Sequence, residues 1–258
     1  MSLKKFILHR IIPLPDIDSF DSYVFVAPHP DDAEVGAGAT MAKLAEQGKR
    51  ITLIIATDGR YGSESADYDR KALALKRREE QEASSRLLGI QETVFLPFTD
   101  GGLYDERDLV KALVNEFTRL KPQAIFCPDP LLHTECHADH LKVGRAALNA
   151  ALMCGNAPIA RDLAGETPAT VAMIAMYYTD EPNKYFATGK KYLELQQAAM
   201  RLHSSQFVFS DDKKGSGDMI MLYNKFRSLR FGLRTLKGHA DGFRVLAPAH
   251  THCCAEKI

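Results

Sequence analysis

Apolar positions along the chain follow two rhythms. Short unbroken runs at 23–27 (YVFVA), 51–57 (ITLIIAT) and 124–127 (AIFC) lack the polar alternation of a strand with one wet face. They predict strands buried on both sides. Segments 93–96 and 171–178 read as two further strands. Between the runs the apolar spacing lengthens to three and four. Val35, Met41, Leu44 and Ala45 share one helical face that Gly48 ends, and KALALKRREEQEASSRLLGI predicts a strong helix stopped by Gly89. Helices are also expected over 105–120, 140–153, 190–203 and 216–236, the last two closing the chain. The stretches 58–70 and 155–169 are the candidate surface loops. Strands alternating with long helices predict an α/β fold, a mostly parallel, doubly wound sheet flanked by helices. In such a sheet the functional groups gather at the carboxyl ends of the strands.

Two of those strand ends carry chemistry that a core does not require. The first run continues as His29-Pro30-Asp31-Asp32, and the run at 124–127 leads into HTECHADH, with His133, His137, Asp139 and His140. A lone loop histidine is usually a solvated residue, and paired aspartates before a helix often serve as a cap with a favourable dipole. Capping explains two such clusters poorly. Imidazole and carboxylate donors without a thiolate cluster suit an open catalytic Zn²⁺ site with three protein ligands; Fe²⁺, Co²⁺ or Mn²⁺ fits similar donors. Of two adjacent aspartates, one can ligate while its neighbour, held apart by the stiff turn at Pro30, handles a water proton. Gly36 and Gly38 are expected to permit close packing of the next helix, because the loop lacks the Lys-Ser/Thr of a phosphate-binding loop.

Composition narrows the partners. Lys+Arg and Asp+Glu are both 33 in 258 residues, so no global field draws the chain to nucleic acid or an anionic membrane. No window approaches the roughly 18 uninterrupted apolar residues of a membrane span. Pro13 and Pro15 break the apolar start, which argues against a signal peptide. The cysteines (Cys127, Cys136, Cys154, Cys253, Cys254) are odd in number and irregularly spaced, as expected of free thiols in a reducing compartment. A cytoplasmic protein with a small-molecule substrate is the expectation, and a homo-oligomer is compatible with it.

HPDDAE at 29–34 with G-x-G after it, and H-x-D-H at 137–140, resemble the paired signatures of the LmbE/PIG-L family, metal-dependent de-N-acetylases of N-acetylglucosaminyl compounds. The likeness runs from about residue 22 to 245. It includes T-D-G at 57–59, R-R-E-E from Arg77 with L-G at 88–89, D-G-G-L at 100–103, His203 with Ser205-Gln206, and A-D-G-F-R at 240–244. The resemblance implies one Rossmann-like domain over 22–258 behind an N-terminal extension of residues 1–21. Carried over by position, it makes His29, Asp32 and His140 the metal ligands and Asp31 the general base. His137 would face the substrate carbonyl, with Asp139 orienting it. Arg77 would grip sugar or phosphate oxygens, although a solvated helix face explains it equally well. Asp100 would bond sugar hydroxyls, or simply form a turn. The chain departs from the family pattern at Pro28, Ala138 and Glu135-Cys136, and His133 reads as a loop histidine or as a further ligand.

The implied reaction is zinc-dependent hydrolysis of the N-acetyl amide of an amino sugar, giving acetate and a free amine. Asp31 would move the proton from water to the leaving amine. His137, as an imidazolium paired with Asp139, would stabilise the oxyanion together with the metal. Two other readings stay open. One is an amidase for a larger acyl or thiol-sugar conjugate; the other is a non-catalytic metal- or sugar-binding module, against which the presence of Asp31 argues.

Overall fold

The apolar runs form the middle of one seven-stranded sheet. In the computed structural model, which describes residues 10–252 apart from 64 and 213, the strands are β1 (Ser22–Ala27), β2 (Arg50–Thr57), β3 (Glu92–Phe98), β4 (Ala124–Pro128), β5 (Met173–Tyr177), β6 (Lys184–Ala187) and β7 (Ala240–Leu246). Their order is β3-β2-β1-β4-β5-β7-β6, parallel from β3 to β5 and antiparallel at the β5/β7 and β7/β6 edges. The helices are α1 (Asp32–Glu46), α2 (Arg70–Leu88), α3 (Glu106–Leu120), α4 (Ala138–Met153), α5 (Ala157–Ala164), α6 (Lys190–Arg201) and α7 (Ser216–Thr235).

β1 is central, with Val24 opposite Thr52 of β2 on one side and Ile125 of β4 on the other. Tyr23, Phe25 and Ala27 point into one core with Met41 and Leu44 of α1. Val24 and Val26 point into the other, with Leu109 and Phe117 of α3 and Val143 of α4. Each such side chain contributes about 1.5–3 kcal/mol when fully buried, so neither face of the strand tolerates a polar residue. Close packing also fixes Gly36. A Cβ there would stand 2.4 Å from the Tyr177 ring, whose hydroxyl donates to the Val26 carbonyl at 2.8 Å. Gly38 likewise faces the Gln196 side chain, so both glycines serve packing, as expected.

Three elements differ from the sequence reading. The loop at 155–169 contains α5, capped by the Asn156 side chain on the Ile159 N–H. β6 and β7 were not anticipated: the chain closes on a strand as well as helices, because A-D-G-F-R alternates in burial and pairs with β5 and β6. Ile17 is buried in the main core, so the segment before Ser22 is packed onto the domain from at least that residue. Cys127 and Cys154 are buried free thiols and Cys136 is exposed; Cys253 and Cys254 lie outside the described residues. Among the described residues no helix is long and apolar enough to cross a membrane.

Candidate active site and metal centre

β1 and β4 are adjacent and parallel, but α1 and α4, which follow them, pack on opposite faces of the sheet. The two connecting loops therefore part at the carboxyl ends and leave a crevice, the usual ligand position in an open α/β sheet. Both polar clusters open into it.

The first loop is held tightly. Thr57 donates its N–H and its hydroxyl to the Pro28 carbonyl at 2.9 and 2.8 Å. Asp31 then adopts φ 105°, a conformation that costs a non-glycine residue about 1–3 kcal/mol and persists only where its surroundings impose it. Two residues of α2 do so. Gln81 accepts the Asp31 N–H at 3.0 Å, and Arg77 donates to the Pro30 carbonyl at 2.7 Å and to Asp31 Oδ2 at 3.2 Å. The twist splits the two aspartates: Asp31 turns toward Arg77 and Asp32 toward the histidines.

Asp32 Oδ2 lies 3.0 Å from His29 Nδ1, and Asp32 Oδ1 lies 3.3 Å from His140 Nε2. Donor atoms of His29, Asp32 and His140 all fall within 4.8 Å of one another, a spacing that could hold one metal ion. His29, His137 and Asp139 form a second group by the same measure. The outer partners favour the first. His29 Nε2 is 3.1 Å from Asp139 Oδ2 and His140 Nδ1 is 2.9 Å from Glu135 Oε2, so each imidazole presents its other nitrogen to Asp32. Carboxylates behind ligating histidines fix tautomer and ring orientation in metal sites. Asp139 is itself gripped by the Gly101 and Gly102 N–H groups at 2.8 and 2.9 Å; both glycines have positive φ, which lets successive amides converge on one carboxylate.

The charges fit a cation. Burial opposes protonation of His29, but Asp139 and Asp32 outweigh it and raise its pKa to about 10. Burial likewise opposes charge on His140, and Asp32 raises it to about 9. Burial would raise Asp32, yet His140 and His29 hold it well below the usual carboxylate range. Without an ion, protons must supply the positive charge that this donor set demands. Asp31 differs from its neighbour: burial pushes it up to about 6, against the pull of Arg77.

His137 is half exposed at the N-cap of α4, and its Nδ1 accepts the Asp139 N–H at 3.3 Å. Nδ1 also lies 3.8 Å from Oδ2 of Asp139, the carboxylate expected to orient this ring, which bonds His29 more closely. Burial, with His29 and His140 nearby, lowers the His137 pKa and so opposes the expected imidazolium.

Arg77 is neither a solvated face nor an open clamp. Its side chain is 5% exposed, and its donors go to Gly59 O, Pro30 O and Asp31. Asp100 is buried and accepts the Tyr61 N–H at 3.0 Å, so it braces a loop. His133 is exposed, 3.7 Å from Asp180, and Cys136 lies in the surface loop. Three contributors went unread in the sequence: Glu135, Gln81 and Tyr178. The Tyr178 hydroxyl donates to Asp32 O at 3.0 Å, and its ring lies parallel to His140, centroids 5.7 Å apart. Buried Glu34 accepts from Gln81 and Ser84 at 2.6 Å each, with His203 3.7 Å away. His203 was quoted in the sequence pattern, but nothing there connects it to Glu34. Beside His140 opens a cavity of about 520 Å³, walled by Val35, Glu135, Tyr178, Tyr223 and Arg227.

Comparison with known proteins agrees with this geometry. The family model described as PIG-L, GlcNAc-PI de-N-acetylase, matches residues 24–151, which span β1 to α4 and so include both clusters. A diacetylchitobiose deacetylase from Thermococcus kodakarensis is 30% identical over 231 residues, 89% of this chain and 84% of that one. The structure of an N,N′-diacetylchitobiose deacetylase from Pyrococcus horikoshii, complexed with its inhibitor MPG, superposes with TM-score 0.85 at 26% identity, covering 98% of this chain and 96% of the other. The fold alone is less discriminating: GalB, a 4-carboxy-2-hydroxymuconate hydratase from Pseudomonas putida KT2440, shares it at TM-score 0.74 with 16% identity, covering 93% of this chain and all of that one. With the sequence match and the two-loop site in agreement, the chain belongs to the PIG-L family of de-N-acetylases.

Proposed function

We propose that the protein is a zinc-dependent hydrolase that removes the N-acetyl group from an N-acetylglucosamine-type amino sugar or its glycoside. The observation that carries the reading is the convergence of His29, Asp32 and His140 at the sheet crevice, with Asp31 split away from them by its own backbone. A divalent cation held by those three residues would polarise the acetyl carbonyl and acidify the attacking water.

The remaining work belongs to the chain. Asp31 takes the water proton and returns it to the departing amine; its carboxylate is ionised near neutral pH but not too weak a base, which is the compromise a general base needs. Arg77 holds Asp31 Oδ2 at 3.2 Å, which fixes the direction of the carboxylate. His137 donates Nε2–H to the oxyanion as a neutral ring, fixed by its Nδ1 contact to the helix N-terminus. Asp139 and Glu135 keep the two ligating rings in register. The sugar occupies the cavity beside His140.

The test is a matched panel of N-acyl glucosamines, free and glycosidic, with acetate and amine both counted after reconstitution with Zn²⁺, Fe²⁺, Co²⁺ or Mn²⁺. The expected result is chelator-sensitive release of acetate from acetylated sugars, best with Zn²⁺. Inactivity on every acetylated sugar, together with turnover of a bulkier amide, would transfer the reading to the amidase class.

A further inference from the structure

α7 carries its apolar residues on the wrong side for a surface helix. The face it turns inward includes Gly217, Met221, Asn224, Ser228 and Phe231, two of them polar. The opposite face presents Met219, Leu222, Phe226, Leu229 and Leu233, continued by Leu236 at the C-cap, exposed by between 39% at Leu229 and 91% at Leu236. An outward helix face is ordinarily polar. Here the six follow each other at alternating steps of three and four, the spacing of a coiled-coil seam. An apolar recess of about 580 Å³ runs between Phe226, Leu229, Leu233 and Leu236.

We infer that this face is a docking surface for a second copy of the chain, with the two α7 helices packed antiparallel about a two-fold axis. The seam is self-complementary. With the axis between Arg227 and Ser228, Met219 meets Leu236 of the second copy, Leu222 meets Leu233, and Phe226 meets Leu229, so every apolar side chain has an apolar partner. Charge selects the direction. A parallel pair would set Lys225 beside Arg230 of the second copy, like against like, whereas the antiparallel pair brings Arg230 toward the ring of Tyr223.

Size supports the same occupant. Scaling the exposures, Tyr223 included, by the ~150–250 Å² that such side chains present gives roughly 800 Å² of apolar surface per copy, the amount each partner contributes to a standard interface.

Sedimentation velocity and light scattering on the full chain at micromolar concentration test the inference. The wild type is expected to have an even-numbered mass, and Leu222→Glu and Leu233→Lys each to halve it, with unchanged melting temperature and metal content. Because residue 222 faces residue 233 only in the antiparallel pair, mixing the two variants is expected to restore the wild-type mass. A monomeric wild type, an assembly indifferent to both substitutions, or a mixture that stays dissociated would overturn it. So would a monomer that floats with phosphatidylserine vesicles. Two separate exposed positions keep the test sound if one variant melts early.

Discussion

Glu135 stands where the sequence departs from its family, and the structure gives it a measurable task. Its Oε2 lies 2.9 Å from His140 Nδ1 and its Oε1 accepts the His137 N–H at 2.7 Å. The first contact fixes a proton on Nδ1 and frees Nε2, which faces Asp32. Glu135→Gln preserves size and one of the two contacts. If its oxygen stays on the His137 N–H, the amide NH₂ faces His140 Nδ1, and two donors cannot bond. The ring must then move its proton to Nε2, the atom required for the cation. If the amide flips, the His137 N–H loses its acceptor instead. Loss of such an outer carboxylate costs about 10–100-fold in metal affinity, or about 1.4–2.7 kcal/mol. The assay is calorimetric titration of the metal-free variant with Zn²⁺ against wild type at one pH. Glu135→Ala, which removes both contacts, should lose at least as much. An unchanged dissociation constant in both variants would refute the assignment of His140 Nε2 to the metal.

Asp31→Asn should retain the metal and lose about 10²–10⁴ in turnover, and Asp32→Asn should lose the metal; the reverse pattern by elemental analysis and acetate release would exchange their roles. Folding raises His29 to about 10 and His140 to about 9, so in the metal-free protein their contribution to stability is full below about pH 6.5 and is lost as pH rises through those values. Cation uptake displaces the same protons, so near pH 7 it should release close to two per site and tighten toward pH 9; titration in buffers of different ionisation enthalpy that finds no release would contradict the ligand set. Arg77→Met strands two carbonyls and the strained Asp31, and should destabilise by about 3–5 kcal/mol in a denaturant titration. Wild-type stability would mean that the Asp31 turn is held by Gln81 alone.

The sequence by itself determined the layered sheet and the main ligand candidates. Runs such as YVFVA have no polar face to offer water, so they had to be central strands, and the residues that follow a central parallel strand emerge at its carboxyl end. The two polar clusters were legible because each followed such a strand, and the family resemblance singled out His29, Asp32 and His140 among them. Periodicity did not reveal β6, a four-residue edge strand, or β7, which lies between β5 and β6 and owes its place to antiparallel pairing with both. Only the tertiary structure decided the partners. The family resemblance pairs Asp139 with His137; the Gly101–Gly102 amides hold its carboxylate 3.1 Å from His29 Nε2 and 3.8 Å from His137 Nδ1. Arg77 reads as one more charge in KRREE until α2 packs its guanidinium beneath a strained turn 46 residues away. Side-chain direction of this kind depends on which elements meet, and contacts so distant along the chain leave no period in the sequence to read.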